Sequence, residues 1–179
     1  GVVTMRDVVT VLQRAEMVRR IAEEIEGYSL ELGDDGRLVR LQLEELLANV
    51  EVERRHVLRD YLPAEPGWGV SDALSALGQL STELLLDLKR VAIVLRIGNG
   101  GSDLESSLEP HGYRLLSKIP RLPDFVAANI VSHYSGLQEI LRASVEDLDK
   151  IEGIEVAGAR FVKEGLSRLA ETSILDRLG

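Results

Sequence analysis

The sequence predicts an all-α protein, a helical spine or bundle followed by a tandem helix-hairpin-helix domain, and three observations carry that prediction. Hydrophobic residues fill 45% of the 179 positions but aromatics only 4%, so a core must be assembled from Leu, Ile, Val and Ala, on helices. Apolar residues recur at steps of three and four through the first sixty positions, the period of one helix packed on another. Two bends marked by proline or glycine, near Leu122 and Gly153, each stand directly before a helical pattern.

Taken in order, Thr4-Met-Arg-Asp7 reads as a helix start, with the Thr hydroxyl free to cap a backbone N–H and Asp7 near the positive end of the dipole. Val8, Val11, Ala15, Val18, Ala22 and Ile25 then form a seam, Gly33-Asp-Asp-Gly36 supplies a turn, and Val39, Leu43, Leu46, Val50, Val57 and Tyr61 repeat the period. These two segments predict an antiparallel hairpin. Arg54, Arg55 and Arg59 read as a solvated face. Pro63 to Gly69 is a loop, with Trp68 expected to fold back onto the spine. Ser71 starts a short helix, and Ser81 caps another whose apolar face is Leu84, Leu85, Leu88, Val91, Ala92 and Leu95. Residues 98–108, rich in Gly, Ser, Asp and Glu, read as a linker. The domains predicted are therefore 1–108, a helical linker or spine, and 109–179, a helix-hairpin-helix DNA-binding domain.

Several function classes recede on composition alone. There is no cysteine, so disulfides and thiolate metal sites are excluded. His56, His111 and His133 are dispersed, without a second ligand at metal-binding spacing. Gly98-Asn-Gly-Gly101 is not followed by Gly-Lys-Ser/Thr, which speaks against a nucleotide-cradling loop. No apolar run approaches the ~20 residues that span a bilayer. Nor does Val2–Val18, broken by Arg6, Asp7 and Arg14, resemble a signal peptide, and Gly1 reads as a fragment boundary. The expectation is a soluble, cytoplasmic protein with no membrane partner, no cofactor, no metal and no catalytic residue. The net charge of −9 argues against nucleic acid only until it is located. Residues 1–113 hold 12 Lys/Arg against 20 Asp/Glu, residues 114–179 hold 9 against 10, so the acidity belongs to the spine.

From His111 the pattern becomes helix, bend, helix, twice. Gly112 to Ile119 leads through Pro120-Arg-Leu-Pro123 to a helix from Asp124 to about Tyr134. After Leu137–Arg142, Ser144-Val-Glu-Asp147 caps a helix to Ile151, and Glu152-Gly-Ile-Glu-Val156 leads to a last helix from Ala157 to about Leu169. The bends lie about 33 residues apart and read as a pseudo-two-fold repeat. A bend at a helix start leaves backbone N–H groups without intrahelical partners where the dipole is positive, which suits a phosphate. Gly153 suits close backbone approach or positive φ, and Ile154 should point inward. The candidate DNA-binding residues are Lys118, Arg121, Leu122, Gly153, Ile154, Glu155, Val156, Arg160 and Lys163. Contact with phosphates alone implies binding without sequence preference, to duplex and branched DNA.

Gly112-Tyr-Arg-Leu-Leu-Ser-Lys-Ile-Pro-Arg-Leu-Pro123, Ala143-Ser-Val-Glu-Asp-Leu148 and Glu164-Gly-Leu166, with Glu53-Arg-Arg-His-Val-Leu-Arg-Asp-Tyr61 and Leu84-Leu-Leu-Asp-Leu88 upstream, resemble the C-terminal part of the DNA integrity scanning (DisA) family, over essentially the whole chain. The resemblance implies a sensor and spine whose absent diadenylate cyclase domain would condense two ATP into cyclic di-AMP with Mg²⁺ or Mn²⁺. It further implies a DNA-scanning function that lowers cyclase output at branched structures, in an octameric parent. The cyclase motifs Asp-Gly-Ala and Arg-His-Arg do not occur; Asp35-Gly-Arg37 and Arg54-Arg-His56 are chance likenesses in helical contexts. Glu155 departs from the family's Gly-Ile-Gly pattern, and Pro120 and Pro123 remove two N–H donors from the first bend. Cations must then supply the affinity, so the expectation is weak, salt-sensitive binding of about 10⁻⁴–10⁻⁶ M, raised by multivalent display in an assembled parent. The competing expectation is a protein-interaction scaffold with repair or recombination proteins as partners.

Overall fold

The computed structural model describes residues 3–98 and 103–178. Gly1 and residues 99–102 of the predicted linker lie outside them. Every regular element among the described residues is helical: α1 (Met5–Glu31), a 3-10 turn (Gly33–Gly36), α2 (Arg37–Tyr61), α3 (Val70–Gly78), α4 (Thr82–Leu85), α5 (Leu88–Leu95), α6 (Tyr113–Leu116), α7 (Asp124–His133), α8 (Leu137–Arg142), α9 (Val145–Asp149) and α10 (Val156–Leu178). They fall into two compact units, Gly1–Leu108 and Glu109–Gly179.

In the first unit, α1 starts where Thr4 and Asp7 close a reciprocal capping box, Asp7 N–H donating to Thr4 Oγ1 and Thr4 N–H to Asp7 Oδ2. Its next free N–H groups are met from afar: Met5 N–H donates to Ser106 O and Arg6 N–H to Leu104 O, both at 2.8 Å. The described part of the predicted linker, 103–108, is thus strapped to α1, with Leu104 in the core. Orphan helix donors and one apolar side chain outweigh a composition that reads as flexible.

Helices α1 and α2 run antiparallel, since Arg40 reaches Ser29 O (3.1 Å) while Arg54 reaches Glu16 (2.9 Å). Only part of the predicted seam is covered. Val8 and Ala22 are buried, but Val11, Val18 and Ile25 are exposed, as is Leu46 on α2. The buried stripe of α1 is Met5, Val8, Val9, Leu12 and Glu16. The line through Val8, Ala15 and Ala22 turns inward while the line through Val11, Val18 and Ile25 does not, so the pair does not bury both heptad lines as a two-stranded coiled coil would. The core gathers at the open end of the hairpin, from Val9, Leu12, Leu58, Leu77, Leu85, Val91, Leu95 and their neighbours.

Arg54 corrects the solvated-face reading. It is 7% exposed and bridges Glu51 and the fully buried Glu16, which also accepts from Arg19 and Arg20. Arg20 in turn donates to Leu80 O at 2.6 Å, closing the end of α3. The single helix expected after Ser81 is two: Asp87 accepts from Lys89 and Arg90 N–H and starts α5 afresh, leaving Leu84 exposed. Trp68 does return to the core, donating Nε1–H to Leu95 O (3.1 Å) beneath the Arg96 guanidinium.

The second unit packs α6–α10 around Leu116, Ile119, Ile130, Ile140, Leu148, Ile154, Val162 and Leu166. Ser144 and Asp147 form a second capping box at α9. Helix α10 extends to Leu178, past the Leu169 expected.

Candidate nucleic-acid interface

The two bends have the same internal form. In the first, Ile119 O accepts from Leu122 N–H (3.4 Å) and Arg121 has φ 62°; in the second, Ile151 O accepts from Ile154 N–H (3.1 Å) and Gly153 has φ 92°. Each residue of one bend corresponds to the residue 32 positions on: Ile119 to Ile151, Arg121 to Gly153, Leu122 to Ile154, and the helix start Asp124 to Val156. An arginine therefore holds the left-handed position that its counterpart gives to glycine. Inward-facing Ile154 is buried and Leu122 half-buried, so each bend is pinned to the core by the side chain after its left-handed residue.

The bends also touch. A Cβ built on Gly153 would lie 3.0 Å from Phe125 and 3.5 Å from Val126 on α7, so any side chain there would press the second bend away from the first. Asn129 Nδ2–H donates to Glu152 O at 2.9 Å and fixes the same approach. Arg121, Leu122, Gly153 and Ile154 consequently line one cleft of about 170 Å³, together with Phe125 and Phe161. A larger cleft of about 410 Å³ adjoins it through Arg121 and Phe161 and is lined further by Lys118, Ile119, Gly165 and Arg168. Gly165 lets α10 approach closely, its Cβ position lying 3.2 Å from Ile119.

Of the predicted cations, Lys118, Arg121 and Arg160 are exposed, and among the described residues none of them is in an ion pair. Lys163 differs. It is half-buried and its Nζ donates to Leu141 O at 2.8 Å, satisfying a carbonyl at the end of α8. Glu155 and Val156 are exposed, and neither lines the two clefts. Several acids of this unit are occupied elsewhere. Hydrogen bonds from the Ser144 backbone and hydroxyl hold Asp147 below the usual carboxylate range, and Ser135 does the same for Glu139. Burial, with the Asp147 and Glu139 charges, pushes the Tyr134 phenol up.

Phe125, Phe161 and Arg168 did not emerge from sequence. The signal was there in part: the chain has only two Phe, both lie within a few residues of a bend, and both are exposed, at 62% and 38%.

The family described as the DisA bacterial checkpoint controller linker region matches residues 1–104. The chain belongs to the DisA family. It is 56% identical over 178 residues to the DNA integrity scanning protein DisA of Acidothermus cellulolyticus, covering 98% of this chain and 48% of that one. It is 52% identical over 176 residues to the protein of the same name from Frankia alni, covering 98% and 49%. Against the one from Streptomyces coelicolor it is 52% identical over 178 residues, with 98% and 48% covered. The chain thus spans about half the length of the curated DisA relatives it matches. The DisA linker match ends within the first unit, whereas the likeness to whole DisA chains continues through the second, where all nine predicted site residues lie.

No group of three or more His or acidic residues able to hold a metal occurs among the described residues, and no described helix is long and apolar enough to cross a membrane.

Proposed function

We propose that this chain binds duplex and branched DNA without sequence preference, through phosphate contacts made by a tandem helix-hairpin-helix unit, as the DNA-scanning part of a DisA protein. The observation that carries the reading is the pairing of two like bends, 32 residues apart, on one cleft that Arg121 lines, with Lys118 in the adjoining cleft, and among the described residues neither cation is tied up by a carboxylate. Helix-start amides of α7 and α10 add partial positive charge beside them, although Pro123 contributes none. The relatives' name, DNA integrity scanning protein, fits the same reading. Leu122 and Ile154 position the bends, Gly153 allows close approach of backbone, and Arg160 adds a peripheral charge. Lys163 supports α8 and contributes little to DNA directly. Cyclic di-AMP synthesis from ATP with Mg²⁺ or Mn²⁺ belongs, on this proposal, to the half of the relatives that the chain does not span. The chain itself has neither catalytic residues nor a cofactor, and its place is the bacterial cytoplasm, at the nucleoid.

The test is a titration of the chain with a labelled hairpin duplex and a four-way junction at low salt. Binding to both is expected, equal for two unrelated duplex sequences and weakened at least fivefold in Lys118→Glu/Arg121→Glu. Retention of full affinity by that variant removes the bends from the interface.

A second reading has its own observation. Ile21, Tyr28, Leu38 and Leu41 are all more than half exposed along the α1–α2 hairpin, which favours a protein-docking role for the spine, with repair or recombination proteins or further copies of the chain as partners. The two readings concern different units and are compatible.

A further inference from the structure

We propose that the adjoining clefts around Phe161 receive a single unstacked nucleotide: its base against the Phe161 and Phe125 rings, its phosphate among Lys118, Arg121 and Arg168. This deepens the reading above and rests on its claim that the second unit attracts nucleotide phosphate. The larger cleft is lined by three cations and no carboxylate, in a chain with net charge −9. Among the described residues none of the three is in an ion pair, so an anion entering the cleft meets no competing acid on its walls. Beside those charges stand the only two phenylalanines of the chain, both outside the core and both exposed. A volume of about 410 Å³, extended by about 170 Å³, is of the size that holds a small organic ligand rather than an ion alone.

Aromatic rings beside phosphate-binding cations are how single strands are held without reading their sequence, because every base has a π-face. Within a continuous duplex both faces of a base are covered by its neighbours, so the rings gain nothing from paired DNA. A branch point, a frayed end or a free nucleotide exposes that face. The clefts would therefore add affinity for unpaired nucleotides to the sequence-independent hold on the backbone, and the preference for disrupted DNA would lie in Phe161 rather than in the bends.

The experiment measures binding of the full 179-residue chain to a 5′-phosphorylated oligothymidylate, thymidine 5′-monophosphate, inorganic phosphate and a blunt hairpin duplex, in the wild type and in Phe161→Ala, Phe161→Tyr and Arg168→Gln. Circular dichroism and melting check that each variant is folded. Phe161→Ala should weaken the oligothymidylate by about tenfold, the order of one base–aromatic stack, Phe161→Tyr should keep it, and duplex affinity should stay within twofold in both. Arg168→Gln should also weaken the oligothymidylate. Monophosphate binding as tightly as the oligomer would mark free nucleotide as the source; binding of the oligomer alone would mark DNA. Failure of the oligothymidylate to bind, its indifference to Phe161→Ala, or its displacement by inorganic phosphate as readily as by the monophosphate overturns the proposal. Loss of duplex binding with the oligothymidylate result intact would instead remove the backbone reading and leave the cleft standing.

Discussion

Arg121 occupies a backbone conformation that ordinary side chains avoid, at a cost of about 1–2 kcal/mol relative to glycine, and its counterpart 32 positions on is Gly153. Arg121→Gly is therefore expected to raise the melting temperature while lowering DNA affinity, a trade visible by pairing a thermal melt with a duplex titration. A lower melting point with unchanged affinity would show that the arginine is held for packing. Glu16 makes a different residue-scale prediction. Burial alone would raise its pKa, but hydrogen bonds and charge from Arg19 and Arg20 prevail and place it below its ordinary 4.5. A depressed folded-state value means this stabilisation is fully present above pH 4.5 and is lost as pH falls through the folded value. Urea melts between pH 7 and pH 3 should show that decline, flattened in Glu16→Gln. The same substitution leaves Arg54 with Glu51 as its carboxylate partner and should cost about 1–3 kcal/mol at neutral pH. Arg121 was legible as a candidate cation, but neither its left-handed backbone nor the burial of Arg54 was, because an arginine in a left-handed turn and one in a buried ion pair look like any surface arginine. Gly153 and Ile154 were legible, since only glycine favours that backbone and the following isoleucine has the core as its one apolar destination.

At the scale of elements, the turn between α1 and α2 depends on Gly36, where an added Cβ would stand 2.1 Å from Ser29 O. Gly36→Ala must push backbone apart and should destabilise the first unit by at least about 1–3 kcal/mol; Gly27→Ala, with open space around it, should not destabilise, and comparing their melts isolates the clash. Helix starts were the most legible features, because Thr4 with Asp7 and Ser144 with Asp147 place cap and acid at the spacing that satisfies two orphan donors. Seams were less so. A heptad pattern gives two apolar lines per helix but not how many neighbours will cover them, and in α1 the line through Val11, Val18 and Ile25 goes uncovered. The break between α4 and α5 was missed because five leucines in nine positions, 80–88, outvote one Asp87 on periodicity, while its carboxylate outcompetes them locally by taking two amide donors.

At the scale of the whole molecule, the all-helical class followed from composition, and the uneven charge kept a nucleic-acid role open in an acidic chain. The clefts were not foreseeable, because α6, α7 and α10 bring Lys118, Arg121 and Arg168 together across some fifty positions of sequence. The proposed contact of backbone phosphates with the paired bends of the second unit is read out by the salt dependence of duplex affinity. With Lys118, Arg121 and Arg160 as the phosphate contacts, a plot of log affinity against log salt should fall with a slope of about −3, reduced in magnitude by about one in Arg121→Gln. A slope near zero, or one that Arg121→Gln leaves unchanged, would contradict it.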